Sequence, residues 1–285
     1  MSRQPSAFSS EPSALSPQPF TGRVTVLGSG TSHGVPAIGC DCAVCRSADP
    51  RDRRTRPSIL IEVEPQEPAS LFRGAVRSIL VDTATDLRAQ ALARGVRRVD
   101  AILFTHAHAD HVFGLDDVRR FNQVQKGAIA CYAAEETLQS LRRMFAYIFA
   151  PPAQKGGGIP QLTLFRIGGV FALGGVDVVP IPLFHGRMPV LGFRIGTFAY
   201  LTDCNRIPDD SWPLLAGVRT LVLDALRHRP HSTHFSVQES VDVAARLGVD
   251  RVYFTHISHD LGHAETCARL PAGVELAYDG LVLRV

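Results

Sequence analysis

The octapeptide Phe104-Thr105-His106-Ala107-His108-Ala109-Asp110-His111 constrains this chain more than any other stretch. It follows the apolar run Val99 to Phe104, which reads as a buried strand. Three histidines and a carboxylate then arrive within six residues. His106 and His108 are two apart, so a loop just past a strand end can aim both at one point. Gly114 then lets the chain turn away. Neutral imidazole and carboxylate suit zinc, manganese or iron. Four such donors exceed what one tetrahedral ion takes from a short segment if a substrate position is to stay open. The spacing therefore predicts two ions sharing a site.

A chain of 285 residues can bury a large core, and a hydrophobic fraction of 45% with 20% charged residues is that of an ordinary soluble enzyme. A net charge of +3 is too small to argue for nucleic acid or an anionic membrane. No apolar stretch is long enough to span a bilayer. Residues 1–20 are rich in Ser and Pro and lack the apolar centre of a signal peptide, so a disordered tail and a cytoplasmic protein are expected. Residues 21–285 are expected to form one domain.

Three of the six cysteines cluster as Cys40-Asp41-Cys42-Ala43-Val44-Cys45. In a cytoplasmic protein this spacing favours a metal over disulfides, and three thiolates can wrap a zinc while a fourth ligand comes from elsewhere. A zinc-binding loop is expected over 39–46. Cys131 reads as core packing, and Cys204 as a neighbour of the candidate ligand before it. The following run, Arg51 to Arg56, is expected to be a solvated face. His33, after the glycine loop Gly28-Ser29-Gly30, either reaches the metal site or bonds to backbone.

Strand patterns at Arg23–Leu27, Ser58–Val63, Ser78–Thr83, Ala128–Tyr132, Leu162–Ile167, Val170–Leu173, Val176–Pro182, Leu191–Ile195, Thr197–Leu201, Thr220–Asp224, Arg251–Thr255 and Leu281–Val285 alternate with helices. Helices are predicted at Asp86–Gly95, Leu115–Gln125, Glu135–Phe149 and, short, Pro208–Ala216. Another opens at Ser236 with a Ser236/Glu239 capping box and stops at Gly248. Pro65–Ser70 breaks a strand, Pro151-Pro152 ends a helix, and Lys155–Gly158 reads as a flexible loop. Such a series fits two stacked sheets with helices outside, an αββα sandwich. Asp82, His185, Asp203 and His256 each stand at a strand end.

T-H-x-H-x-D-H after a strand resembles the signature of the metallo-β-lactamase superfamily. The resemblance implies that His106, His108 and His185 hold one ion and Asp110, His111 and His256 the other. Asp203 would bridge them, and Asp82 would orient a ligand histidine or its loop. The cysteine loop, with the late His256-Ile257-Ser258-His259, is similar to the PhnP-type phosphodiesterases. This resemblance runs from about Arg23 to the C-terminus. It implies that His259 completes a Cys₃His structural zinc site with Cys40, Cys42 and Cys45. It also implies a homodimer and two active-site ions, manganese or zinc, with iron as a further option. His234 is the family-type general acid, His231 the alternative, and Asp110 the catalytic carboxylate. Arg187 and Arg227 are weaker candidates for phosphate contact.

The expected activity is a dinuclear metal-dependent phosphodiesterase acting on small phosphodiesters, cyclic ribosyl phosphates and 2′,3′-cyclic nucleotides being the class implied. The alternatives are a tRNase Z-like nuclease, a relative of the pyrroloquinoline-quinone biosynthesis protein B, a thioester or lactone hydrolase of the same fold, and a non-catalytic metal-binding scaffold. No long basic insertion exists to hold RNA, so no stable nucleic-acid complex and no membrane partner is expected.

Overall fold

A computed structural model describes residues 21–64, 78–150 and 158–285. The expected tail at 1–20, the break at Pro65–Ser70, the Pro151-Pro152 stop and most of the loop ending at Gly158 lie outside those residues.

Alternation of apolar residues builds two mixed sheets. The first holds β1 (Gly22–Gly28), β2 (Ser58–Val63), β3 (Ser78–Val81), β4 (Ala101–Leu103), β5 (Ile129–Ala133) and β6 (Leu162–Arg166). The second holds β7 (Phe171–Leu173), β8 (Val176–His185), β9 (Met188–Ile195), β10 (Phe198–Leu201), β11 (Thr220–Asp224), β12 (Arg251–Thr255) and β13 (Val274–Leu276). The last strand, β14 (Val282–Arg284), returns to the first sheet. The strand orders are β14-β1-β2-β3-β4-β5-β6 and β13-β12-β11-β10-β9-β8-β7. Each sheet runs antiparallel at one side and parallel at the other, with β3–β6 and β10–β13 as the parallel sets.

One apolar layer lies between the sheets. Val24, Ile59, Val81 and Leu103 of the first sheet meet Val178, Phe193, Tyr200 and Val222 of the second. Burying a side chain of this size contributes about 1.5–3 kcal/mol relative to exposure. The outer face of the first sheet is covered by α1 (Leu87–Arg94), α2 (Ala109–Val112), α3 (Arg119–Gln125), α4 (Glu135–Met144) and α5 (Ala146–Phe149). The outer face of the second is covered by α6 (Val237–Leu247) and flanking segments, with α7 (His263–Cys267) beside it. This is the αββα sandwich.

The capping box of α6 forms, Ser236 N donating to Glu239 Oε2 at 2.7 Å, and Gly248 closes that helix in the left-handed region. Cys131 is buried in the outer core of the first sheet. Three expectations need correction, and two short elements add to them. The helix predicted over Glu135–Phe149 breaks at Phe145, which leaves helical geometry to pack its ring edge-on against Phe113. Pro208–Ala216 forms two short 3₁₀ turns, the second opened by Pro213. β13 and α7 are too short to stand out as periodic patterns. The Arg51–Arg56 run is not a solvated face throughout, because Asp52 and Arg54 are buried. Among the described residues, no helix is long and apolar enough to cross a membrane.

Candidate metal centres and the cleft between them

β3, β4, β8, β10, β11 and β12 all run toward one edge of the sandwich. Where they stop, they release Asp82, His106 to His111, His185, Asp203, Asp224 and His256. Asp82, Asp203 and His256 adopt positive φ of 61°, 52° and 58°. A non-glycine residue held there stores strain on the order of 1–3 kcal/mol, and such strain gathers at functional sites. Each sharp turn lets a strand end aim its side chain across the edge instead of continuing outward.

Two clusters result, and Asp203 belongs to both. His106, His108, His185 and Asp203 bring their donor atoms within 4.8 Å of one another, and so do Asp110, His111, Asp203 and His256. Within the second, Asp203 Oδ1 lies 3.1 Å from His111 Nε2 and Asp203 Oδ2 lies 3.2 Å from His256 Nε2. Asp110 Oδ2 is 3.5 Å from each of the same nitrogens.

The outer nitrogens of three of the histidines are committed elsewhere, whereas His256 Nδ1 has no hydrogen-bond partner. His111 Nδ1 sits 2.7 Å from Asp82 Oδ2, and His185 Nδ1 donates to the Thr233 carbonyl at 2.8 Å. Asp82 also accepts from Thr105 N and Oγ1, each at 2.8 Å. Thr105 Oγ1 in turn touches His106 Nδ1 at 3.0 Å. The inner nitrogens, His106 Nε2, His111 Nε2 and His256 Nε2, are buried without a hydrogen-bond partner. Buried polar atoms seldom stay orphaned. Lone pairs of neutral imidazoles and carboxylates converging on one point fit divalent cations.

The electrostatics agree with that fit. Burial, reinforced by His111, holds His106 well below the ordinary histidine range, and burial lowers His108 and His185 as well. Burial would raise Asp110 and Asp203, but His111 outweighs it and both stay ionised. Burial would lower His111 too, yet Asp203, Asp82 and Asp110 raise it well above its usual value. Its proton occupies the place a cation would take, so cation binding there expels a proton.

The second group of ligands lies one loop away. His259 Nδ1 is 3.1 Å from Cys40 Sγ, 3.5 Å from Cys45 Sγ and 3.6 Å from Cys42 Sγ. Backbone amides already donate to two of these sulfurs, Ala37 N to Cys45 and Cys45 N to Cys42. Three sulfurs and one imidazole in such a set suit a structural zinc.

Between the two groups opens a cleft of about 280 Å³. Its lining includes His33, Arg227, His231, His234 and His259, with Ala37 and Leu226 as its apolar members. His33 is exposed and faces this cleft; Arg187 is exposed and is not part of the lining. His234 is buried, stacked on His256 with ring centres 4.5 Å apart, and its Nδ1 lies 2.7 Å from Asp224 Oδ2. His231 is more open, and its Nδ1 accepts from Thr233 N at 3.3 Å.

Asp224, which the sequence shows only as the end of a buried strand, is a further functional residue of this site. Its position at that strand end, like those of Asp82 and Asp203, was the available signal. Asp224 Oδ2 also accepts from Cys204 N at 2.7 Å, so Cys204 touches this carboxylate through its backbone. Burial pushes Asp224 well above the carboxylate range and pulls His234 below the histidine range. A proton on Asp224 Oδ2 facing Nδ1 leaves the imidazole hydrogen on Nε2, the nitrogen not held by Asp224.

A family description, the beta-lactamase superfamily domain, matches residues 77–257 of this chain. The chain belongs to the metallo-β-lactamase superfamily. Within it the protein is PhnP-like. A solved structure described as a new diphosphatase from the PhnP family is 45% identical, with a TM-score of 0.83 over 93% of this chain and 97% of that one. A Porphyromonas gingivalis protein named octanoyltransferase is 37% identical over 261 residues, 91% of this chain and 51% of that protein. This superfamily member therefore spans about half of that relative's length. Ribonuclease Z of Mycobacterium marinum is 29% identical over 221 residues, 66% of this chain and 79% of that protein.

Proposed function

We propose that this protein hydrolyses small phosphodiesters, cyclic ones included, with two divalent ions. His106, His108 and His185 would hold one, and Asp110, His111 and His256 the other. Asp203 would serve both, and Cys40, Cys42, Cys45 and His259 would hold a structural zinc. The observation that carries the reading is the cleft itself. It is small and lined by His33, Arg227 and His231, and on one side it meets His234, stacked on a metal-site histidine and backed by Asp224. Bound ions would supply Lewis-acid charge that activates water and neutralises phosphate oxygens.

The chain's own groups do the rest. Asp224 fixes the His234 tautomer so that Nε2–H faces the cleft. His234 then donates that proton to the leaving oxygen, and its Nδ1 can take the proton on Asp224 Oδ2. Arg227 gives the mouth a fixed positive charge for an anionic substrate. Octanoyl transfer is not carried over, since this chain spans only about half of the protein that bears that name.

A second reading is hydrolysis of a diphosphate link, favoured by the diphosphatase named among the relatives. Metal-depleted protein resupplied with manganese or zinc separates the two. The reading expects turnover of bis(p-nitrophenyl) phosphate and 2′,3′-cyclic AMP. Turnover of a nucleoside diphosphate alone supports the second reading, and turnover of thioesters or lactones alone sinks both.

A further inference from the structure

Arg54 has the largest side chain among the described residues that are fully buried, and it lies outside the cleft. Its guanidinium reaches across about two hundred residues of sequence. Nη1 donates to the Ser258 carbonyl at 3.0 Å, and Nη2 donates to the Leu261 carbonyl at 2.7 Å. Nη2 also meets Asp52 Oδ1 at 2.7 Å, and Nε donates to the Arg51 carbonyl at 3.3 Å. Asp52 Oδ1 in turn accepts from His263 N at 2.8 Å. One buried ion pair therefore grips the segment 258–263 at three backbone points.

That segment is no ordinary loop. His256 points to the His/Asp clusters and His259 to the three cysteines, so both groups of ligands share one six-residue strap, His256 to Leu261. Ser258, gripped by Arg54, lies between the two histidines. The strap's other neighbours are tied to Arg54 as well. Gly30 pairs with Ile257, and a Cβ on Gly30 would sit 2.9 Å from Arg54 Cβ. Val35, on the approach to the cysteine loop, exchanges two backbone hydrogen bonds of 2.8 Å with Arg54. Removing a charge from water is unfavourable unless it is fully paired, and a hydrophobic replacement often stabilises a fold as well or better. A guanidinium retained here is explained by the geometry it imposes.

We infer that Arg54 is the positioning residue for both metal centres, fixing the strap so that His256 and His259 are presented in one register. The inference rests on the assignment of metal ligands proposed above. Loss of Arg54 frees the Ser258 and Leu261 carbonyls and leaves Asp52 buried without its cation. The strap then moves, and both centres loosen together. Partners that orient metal ligands are worth about 10–100-fold in metal affinity.

The control is a second buried arginine. Arg194 donates to the carbonyls of Gly196 and Leu214, and neither of these hydrogen bonds reaches the strap. Arg54→Met, Arg54→Lys and Arg194→Met are loaded with cobalt, read at the cysteine site by thiolate-to-cobalt charge-transfer absorption. Manganese retention at the His/Asp site is read by competition with a chelator. Both Arg54 variants are expected to bind cobalt at least about tenfold more weakly and to release manganese faster. Arg194→Met is expected to match the wild type at both centres. Arg54→Lys keeps the charge but not the fork of donors, so it serves if Arg54→Met does not fold. Wild-type retention in the Arg54 variants, or equal losses in Arg194→Met, would overturn the inference. A wild-type protein without thiolate–cobalt absorption sinks the assignment of ligands itself, and the inference with it.

Discussion

The two groups of ligands differ in how they are held. The His/Asp group is carried on strand ends, the turns after them and the short helix α2, and the outer nitrogens of His106, His111 and His185 are held by Thr105, Asp82 and Thr233. The cysteine group hangs on a segment without strand or helix, and of its three thiols only Cys45 is buried. The first is pre-organised by the sheets. The second draws its order from the strap, from two backbone amides and from whatever its sulfurs bind. Geometry already built can be spent on catalysis, whereas geometry assembled by a ligand serves as a clasp.

The sharpest test of the built side is His234→Ala. Loss of a positioned proton donor is expected to lower kcat by about 10²–10⁴-fold on a diester with a poor leaving group. The loss should shrink on bis(p-nitrophenyl) phosphate, whose leaving group departs without a proton. Asp224→Asn should follow the same pattern with a smaller loss, since it removes the proton that Asp224 can pass to Nδ1 but leaves His234 in place. Equal losses on both substrates would remove His234 from proton transfer.

Asp82→Asn comes next. It touches no cation yet is expected to weaken metal binding at the His/Asp centre by about 10–100-fold. Isothermal titration of metal-free protein with manganese checks this. An unchanged affinity would mean that the strand ends alone suffice.

Stripping the metals with a chelator then sets the two regions side by side. Amide hydrogen exchange is expected to rise across Ala37–Ser47 and to stay slow in Leu80 and Val222. Loss of protection in both would break the comparison, for the sheets would then need the cations as much as the loop does.

The legibility of each region in the sequence follows from this contrast. His106, His108, Asp110 and His111 are local in sequence, so six residues announced them. His185, Asp203 and His256 lie at apolar-run ends, where a polar residue is conspicuous. Asp224 ends such a run too, but its role appears only once the fold brings His234 back beside it. The positive φ of Asp82, Asp203 and His256 left no trace, because these residue types do not demand that conformation. The Arg51–Arg56 run misled for a similar reason. Charge density alone cannot tell that Asp52 neutralises Arg54 and that carbonyls about two hundred residues away complete its coordination.

The smallest expected effect probes the clasp through pH. His263 is buried beside Tyr278, with its backbone N–H on Asp52. Burial, helped by Arg51 and Arg54, pulls its pKa down to about 4. In the unfolded chain a histidine titrates near 6.5. Between those values the unfolded chain takes up a proton that the folded protein refuses. Stability is therefore complete above about pH 6.5 and falls as the pH drops toward 4. The fall attributable to His263 between pH 7 and pH 5 is about 1–2 kcal/mol. Urea unfolding of chelator-treated protein at the two pH values measures it, with His263→Gln as the variant that cannot titrate. The other histidines titrate alike in both proteins, so the difference between the two falls isolates His263. A variant that loses as much stability as the wild type would show that the clasp region admits a proton, and with it water, and that Arg54 is not sealed as the contacts around it require.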